Sequence, residues 1–364
     1  MIRKLTLRSV RSYGEASAEV PPGICAFFGP NGSGKTTVLE AACLLGTTRS
    51  FRTTKLRDLI RTGEEAGVVE GVVGDPEHTV RIELDAAGRT LRRDGREVSS
   101  SALAPEFRVV ALAPEHQQII VGVAEERRRY LDYTLFSRDP GYLGIAQQYR
   151  RAIRHKQALL RDRLPFAVYE NRVAPWDEKI AELGTTIRDC RAALVRELGT
   201  RVRRLYQELS AGTGEVALLI PEPREPLLPQ LSAQRRTEHA AGRALCGPHR
   251  DDLEMQLNGQ AAARIASQGE KASFLLALKL AELEILEPVG GDKPALILDD
   301  LGVTLDQERR KRLFEKLAET PHQTLISTPE EGVAKLVDAA GGSVLTRSER
   351  RSPRGFSIAW RSAA

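Results

Sequence analysis

The chain has 364 residues, enough to bury a large core and to divide into two or three lobes. Its charged fraction of 28% and hydrophobic fraction of 41% are those of a soluble globular protein. Lys and Arg outnumber Asp and Glu by 54 to 49, and the net charge of +5 is compatible with a polyanionic partner.

The cysteines and the apolar runs exclude several classes of protein. Cys25, Cys43, Cys190 and Cys246 lie far apart, with no CxxC pair and no histidine at metal-binding spacing. Neither a zinc site nor a disulfide framework is therefore indicated. No apolar run approaches the length of a membrane span, and no apolar segment follows the charged N-terminus, so we expect a cytoplasmic protein without a membrane anchor.

Strands are predicted between residues 2 and 28, and a glycine-rich segment follows the last of them. This segment fits G-x-x-x-x-G-K-[ST] and leads into a helical pattern, the strand–turn–helix setting of a phosphate-binding loop. An ordinary Gly/Ser loop would not require that setting. The residues predicted to contact a nucleotide are Gly29, Pro30, Asn31, Gly32, Ser33, Gly34, Lys35, Thr36 and Thr37.

The residue types of this loop suit phosphate chemistry. Glycines let successive N–H groups point inward, and the helix adds its positive N-terminal end. Lys35 is predicted to reach the β- and γ-phosphates and to serve catalysis, and the Thr36 hydroxyl is predicted to bind Mg²⁺.

A basic loop and a β-rich region follow the first helix. The run Arg49-Ser50-Phe51-Arg52 opens the basic loop, for which a solvated turn and a phosphate or DNA contact are equally compatible with the sequence. Short β-rich runs between Val68 and Leu112 predict an antiparallel sheet added to the nucleotide-binding lobe.

The middle of the chain is predicted to be a helical lobe. We expect residues 125–210 to form this lobe, inserted into an ATPase lobe of residues 1–124 and 211–364. From Arg127 to Arg163 there are ten Arg and Lys against three Asp, which favours a DNA-facing surface over a merely solvated helix. The candidate DNA-binding residues are Arg127, Arg128, Arg129, Arg150, Arg151 and Arg154.

An apolar strand ending in two acids is predicted at Ala295–Asp300. Burial of such a strand places its acids at the carboxyl edge of the sheet, where open α/β sheets bind ligands. Asp299 is predicted to hold Mg²⁺ through water, and Asp300 to orient or deprotonate the attacking water.

A second nucleotide contact is predicted upstream of these acids. Ser267, Gln268 and Gly269 precede an apolar helical run, and they resemble the signature motif of ABC-type ATPases. A serine N-cap followed by a turn glycine would also account for the residues. The motif lies between the phosphate loop and the Asp pair, which is the order of the ABC family. In that family the signature motif contacts the ATP of the other subunit, so the resemblance implies a homodimer that forms on ATP.

The chain as a whole resembles the RecF family of bacterial recombination mediators, whose ATPase head is similar to that of SMC proteins. The matching segments are residues 29–36, 49–52, 113–115, 127–132, 247–252, 266–269 and 298–306. The resemblance implies an α/β P-loop fold of the ABC-ATPase type, with ATP and Mg²⁺ as cofactors. It also implies binding at DNA gaps or junctions and, with RecO and RecR, RecA loading in repair, replication restart and SOS induction.

The resemblance implies an ATPase that DNA stimulates, and it gives Gln117 or Gln118, soon after Pro114, as candidates for the Gln loop of ABC proteins. Two departures from ABC enzymes imply slow hydrolysis. Asp300 replaces a catalytic Glu, and Ser327-Thr328 stands where many ABC proteins have a switch His. The sequence leaves two alternative functions open. One is a binding module in which ATP only holds the dimer together, and the other is a regulatory ATPase that acts on a protein and has no role on DNA. His249 is expected to be a hydrogen-bonded structural residue.

Overall fold

The computed structural model describes residues 1–103, 107–220, 225–287, 293–300, 305–320, 322–352 and 355–362. The chain divides into two compact units. The first unit consists of Met1–Gln117, Val202–Glu215 and Ala266–Ala364. The second unit consists of Gln118–Arg201 and Val216–Ile265.

The regular elements of the described residues, in chain order, are as follows. The strands are β1 Ile2–Val10, β2 Tyr13–Glu19, β3 Ile24–Phe28, β4 Gly67–Val73, β5 His78–Leu84, β6 Arg89–Arg93, β7 Arg96–Glu97, β8 Val109–Leu112, β9 Val216–Leu219, β10 Glu254–Leu257, β11 Gln260–Ala261, β12 Ala295–Asp299, β13 Thr324–Thr328, β14 Ser343–Ser352 and β15 Gly355–Ser362. The helices are α1 Lys35–Thr47, α2 Ser100–Leu103, α3 Gln118–Val121, α4 Ala124–Arg138, α5 Gly141–Arg161, α6 Phe166–Ser210, α7 Leu227–Ala241, α8 Ala262–Ile265, α9 Gln268–Leu286, α10 Gln307–Glu319 and α11 Glu331–Ala339. Single 3-10 turns lie at Leu56–Leu59 and Pro114–Gln117.

One mixed sheet runs through the first unit, with strand order β7-β6-β5-β4-β1-β2-β15-β14-β3-β13-β12-β8. The five strands from β14 to β8 in this order pair in parallel. The strands from β2 to β7 pair antiparallel and form the extension predicted from the β-rich region. The sheet therefore joins a parallel nucleotide-binding half to an antiparallel half.

Burial explains the two sequence patterns of this sheet. Strands β3 and β12 are almost continuously apolar and buried along their length, as expected for parallel strands that are covered on both faces. Strand β1 instead alternates, with Leu5 and Leu7 in the core and polar neighbours outside it. Helix α1 packs Val38 and Leu39 into the same core cluster as Phe27 of β3.

The second unit is mainly helical, and α6 is its longest element, 45 residues with Pro175 inside it. Residues 202–210 of this helix belong to the first unit. A small antiparallel sheet, in the order β11-β10-β9, completes the second unit. Lys156 of α5 is fully buried and bonds to Asp177 of α6 at 2.8 Å and to Glu238 of α7 at 2.6 Å, so a buried ion cluster ties three helices together.

The observed division differs from the predicted one, because residues 216–265 fold with the helices of the second unit. Long-range pairing causes this. Arg127 of α4 forms a two-pronged ion pair with Asp252, and Arg188 of α6 forms another with Asp251. Such partners lie 125 and 63 residues apart, so a reading of local composition cannot find them. No helix among the described residues has the length and apolarity needed to span a bilayer.

Candidate nucleotide-binding site

The predicted phosphate loop, residues 29–34, connects β3 to the start of α1. Gly32 and Gly34 have φ angles of 80° and 95°, which side chains other than glycine's disfavour. Gly34 is further constrained, because a Cβ there would lie 2.1 Å from the hydroxyl oxygen of Tyr13. The loop leaves the carboxyl edge of the parallel strands and delivers the chain to a helix N-terminus, a setting suited to binding anions.

Lys35 folds back over this loop. Its Nζ donates to the carbonyl oxygens of Gly29 at 2.7 Å and Pro30 at 2.8 Å. Burial lowers the pKa of Lys35, while the neighbouring Asp300 and Asp299 act in the opposite direction. In the described part of the chain no carboxylate lies within ion-pair distance of this ammonium group, so its charge remains available to an anion.

Asp299 ends strand β12 and is held by two hydroxyl groups. Its Oδ1 accepts from Thr36 at 3.0 Å and from Ser327 at 2.5 Å. Ser327 reaches it because β13 lies between β3 and β12, with Asp299 directly opposite Ser327 in the strand register. Burial raises the pKa of Asp299, and the two hydroxyl groups oppose that rise. The sequence analysis did not predict that Ser327 donates a hydrogen bond to Asp299.

The donor set fits a magnesium ion held jointly with phosphate. Magnesium prefers oxygen ligands and usually keeps several waters. The Thr36 hydroxyl, the predicted direct ligand, lies 3.0 Å from the Asp299 carboxylate oxygen, which is predicted to hold the ion through water. Among the described residues no group of three or more acidic, histidine or cysteine side chains could hold a metal ion alone. The remaining ligands would therefore be phosphate oxygens and water, as is usual for Mg²⁺ in nucleotide sites.

Asp300 follows the end of β12 in a left-handed conformation, with φ of 55°. Its N–H donates to the Ser327 hydroxyl at 3.1 Å. Asp300, Asp299 and Gln117 line one small cavity of about 30 Å³. Gln118 lies beyond this cavity as the first residue of α3, so the structure favours Gln117 of the two glutamines.

Three residues that hold the phosphate loop by hydrogen bonds, directly or through Tyr13, were not predicted from the sequence. The Tyr13 hydroxyl donates to the Ser33 carbonyl at 3.1 Å and accepts from Trp360 Nε1 at 3.2 Å. Arg347 Nη1 also donates to the Ser33 carbonyl, at 3.4 Å. Tyr13 and Trp360 are almost completely buried. Because Tyr13 and Trp360 are 347 positions apart, no local pattern could have joined them.

The basic run after α1 is tied to the helix of the phosphate loop. The buried Glu40 of α1 accepts two hydrogen bonds from Arg11 and one from Ser50. Arg52 lies 3.7 Å from the same carboxylate and 3.9 Å from Glu115. The run is therefore an anchored loop, with Arg52 38% exposed beside the nucleotide site.

The signature-like residues lie at the exposed N-terminus of α9. Ser267 is the N-cap, its side chain accepts from the Glu270 N–H, and Glu270 reaches back to the Ser267 N–H at 2.8 Å. Ser267 and Gln268 are exposed, and Gly269 lies against Arg309, whose Nη1 would be 2.5 Å from a Cβ at that position. The N-cap role is thus observed, as a capping box in which Ser267 and Glu270 each bond to the other's backbone N–H.

The six candidate DNA-binding arginines separate into two groups. Arg127 bonds to Asp252 and to the Gly122 carbonyl, and Arg128 donates to the Asp251 carbonyl. These two side chains therefore have internal partners. Arg129 is exposed but pairs with Glu125 and Glu126 on its own helix.

The other three candidates, Arg150, Arg151 and Arg154, are exposed on α5. Among the described residues, the carboxylate that pairs with Arg150 is Asp132, at 3.9 Å. These side chains therefore form the freer part of the predicted basic surface.

His249 behaves as a structural residue. A hydrogen bond of 2.7 Å joins its Nδ1 to the Tyr149 hydroxyl. Burial, with a further effect of Arg250, lowers the pKa of His249 to about 4, so the ring is neutral at pH 7. A neutral, bonded imidazole in the second unit fits the expectation of a packing role.

Parallel strands that end in a glycine-rich loop with Lys35, beside a buried Asp299 held by Thr36 and Ser327, define a P-loop nucleotide-binding protein of the ABC-ATPase type. The family model described as the RecF/RecN/SMC N terminal domain matches residues 1–351. The chain belongs to the RecF family. The predicted fold class and the resemblance to RecF are both confirmed.

Individual relatives agree with this assignment. The "DNA replication and repair protein RecF" of Synechococcus sp. (strain JA-3-3Ab) is 34% identical over 94% of this chain and 95% of its own length. Two solved structures of the recombination mediator protein RecF in the RecFOR pathway, RecF-ATPrS and RecF-ATP, have TM-scores of 0.84 and 0.82. The first is 25% identical and covers 100% of this chain and 98% of its own. The second is 26% identical and covers 95% of each chain.

Proposed function

We propose that this chain is an ATP-dependent recombination mediator that dimerises on ATP and binds DNA at single-strand gaps or junctions. With RecO and RecR it promotes RecA loading in repair, replication restart and SOS induction, and slow hydrolysis of ATP releases the DNA. Such a protein works in the cytoplasm, where the chromosome is. The relatives named RecF support this role.

The observation that carries the proposal is the group of polar side chains at the carboxyl edge of the sheet. Thr36, Asp299 and Ser327 come from three different segments, and both hydroxyl groups bond to the carboxylate. Lys35, next to Thr36, bonds to the Gly29 and Pro30 carbonyls of the loop. Lys35 and Asp299 are both buried, so the fold stabilises neither charge fully. A triphosphate with a divalent ion supplies the missing partner for each of them.

Each residue has a distinct part in this proposal. The loop N–H groups and the Lys35 ammonium bind the phosphates, as in other P-loop proteins. Mg²⁺, when bound, neutralises charge on the phosphate oxygens. Thr36 and Asp299 would hold this ion. Asp300 orients the attacking water and accepts its proton, and Gln117 lines the same cavity. Asp is shorter than Glu, which supports slow turnover.

The dimer follows from the exposed start of α9. Ser267 and Gly269 belong to an exposed helix N-terminus, and the resemblance to ABC proteins assigns such residues to the ATP of the other subunit. ATP then contacts both copies, and its hydrolysis removes part of the interface. DNA is held in part by exposed arginines of α5.

Light scattering with and without a slowly hydrolysed ATP analogue tests the dimer. We expect the mass to double with analogue and Mg²⁺. Ser267→Arg should bind ATP as a monomer but fail to dimerise, because the added side chain obstructs only the partner's nucleotide. Ser232→Arg on an exposed position of α7 is the matched control and should dimerise normally. A monomer at saturating Mg-ATP would overturn the proposal.

A salt titration of DNA binding separates this proposal from an ATPase that acts only on proteins. Contacts with several duplex phosphates give a log–log slope of about −0.9 for each phosphate contacted. A flat response, or no binding, would favour the protein-directed alternative.

A further inference from the structure

Helix α5 carries a long exposed basic stripe in the second unit. Its 21 residues contain no Asp or Glu. Arg150, Arg151, Arg154 and Arg161 are all exposed. Residues three, four and seven apart lie on one face of a helix, so Arg150, Arg154 and Arg161 form a single row. The row rises about 16 Å along the axis, enough to follow several phosphates of one strand.

An aromatic pair lies beside this stripe. His155 of α5 stacks on Trp176 of α6, with ring centroids 4.2 Å apart and ring planes within 10° of parallel. His155 is exposed, and Trp176 is partly exposed. Arg151 is one helical turn before His155, and the small Ala158 is about one turn after it. An aromatic surface therefore stands next to guanidinium groups.

A buried ion pair, separate from the His155–Trp176 stack, holds α5 against α6. Lys156 follows His155, Asp177 follows Trp176, and these two residues form the fully buried ion pair of 2.8 Å. Arg235 adds a second bond to Asp177 at 2.8 Å. The buried charges fix the register of α5 against α6, so the aromatic pair above them is held rigid and remains free to bind.

We propose that His155 and Trp176 form a stacking platform for an unpaired base, and that Arg151 beside them and the row of Arg150, Arg154 and Arg161 hold the phosphates of the same strand. The occupant is single-stranded nucleic acid. The bases of a duplex already stack on one another, whereas an unpaired base offers a free ring face. This inference rests on the proposed DNA role and deepens it, because it assigns the unpaired strand of a gap to the second unit.

The first test uses oligothymidylate and intrinsic fluorescence. The chain has two tryptophans, and the other, Trp360, is 2% exposed. Oligothymidylate should quench the wild-type emission, and Trp176→Leu should lose the quenching. Unchanged emission at saturating oligothymidylate would overturn the platform.

Matched variants separate stacking from charge. His155→Ala should weaken oligothymidylate binding by about 5- to 150-fold, the range found for loss of one stacked base. Its duplex affinity should change less than twofold, and His155→Phe should restore single-strand binding. Arg151→Gln should weaken both ligands and reduce the single-strand salt slope by about 0.7. Urea unfolding of each variant confirms that the fold is retained.

The outcomes distinguish failure of the stacking platform from failure of the proposed DNA-binding function. If the wild type binds both ligands and His155→Ala binds them equally well, the platform is disproved and the proposed function stands. If the wild type binds neither ligand, the proposed DNA role fails and the platform fails with it.

Discussion

The nucleotide site of the first unit and the arginine–carboxylate network of the second unit use charge in opposite ways. In the second unit Arg127, Arg188 and Arg191 pair with Asp252, Asp251 and Asp132, each at 2.7–2.8 Å. In the first unit Lys35 bonds only to neutral carbonyls among its described partners, and burial raises the pKa of Asp299. Satisfied charges build structure, and incompletely satisfied ones prepare a site to bind.

The largest effect that this comparison predicts is on stability. Lys156→Met should lower the free energy of unfolding by about 3–5 kcal/mol, because Asp177 and Glu238 would remain buried without their counter-ion. Urea unfolding measures it. Lys179→Met, which removes an exposed pair with Glu182, is the control and should cost less than about 1 kcal/mol. Equal losses for the two variants would contradict the structural role of the buried cluster.

The corresponding substitution in the first unit, Lys35→Met, should affect nucleotide binding and leave the fold unchanged. Lys35→Met should weaken ATP binding by at least about 100-fold and abolish ATP-driven dimerisation, because the charge-assisted contacts to phosphate are lost. Calorimetric titration and light scattering measure both effects. The exposed Lys335→Met is the control. Normal dimers of Lys35→Met in ATP would disprove the role assigned to this residue.

Acid sensitivity should appear in both units. Burial lowers the pKa of His116 to about 3 and that of His249 to about 4, below the ordinary value of about 6.5. The unfolded chain therefore binds protons first as the pH falls. Each ring contributes stability that is complete above about pH 6.5 and is lost towards pH 4, by up to about 3 kcal/mol.

Urea midpoints between pH 7 and pH 5 measure this loss. His116→Asn and His249→Asn should each reduce the dependence of stability on pH. A wild-type slope that persists in both variants would show that other groups cause the acid sensitivity.

The smallest predicted effect concerns the support beneath the phosphate loop. Tyr13→Phe removes one hydroxyl and leaves the Ser33 carbonyl and the Trp360 N–H without that partner. ADP and ATP should bind about fivefold more weakly, a cost of about 1 kcal/mol. AMP, which lacks the phosphates that the loop contacts, serves as the reference ligand. A variant with wild-type affinity for ADP would show that the hydroxyl does not position the loop.

Prediction from sequence gave the local fold correctly where consecutive residues encode it. The strand, glycine turn, Lys35 and Thr36 form one local pattern, and Asp299 ends an unmistakable buried strand. It could not choose between Gln117 and Gln118, because the two residues are chemically identical and only the backbone conformation decides which side chain lines the cavity. It grouped Arg127 with Arg150 by charge, whereas the structure gives Arg127 a carboxylate partner, Asp252, at 2.7 Å.

The sequence by itself determined that a glycine-rich turn joins a strand to a helix and that a later apolar strand ends in two acids, since backbone freedom at glycines and the apolarity of a strand are local properties. Only the tertiary structure decided which charges remain available. The strand order places Ser327 against Asp299, Trp360 against Tyr13, and Asp252 against Arg127. Residues distant in sequence decide which charges of a site are paired, because the interaction of two charges depends on their separation in space and not on their separation along the chain.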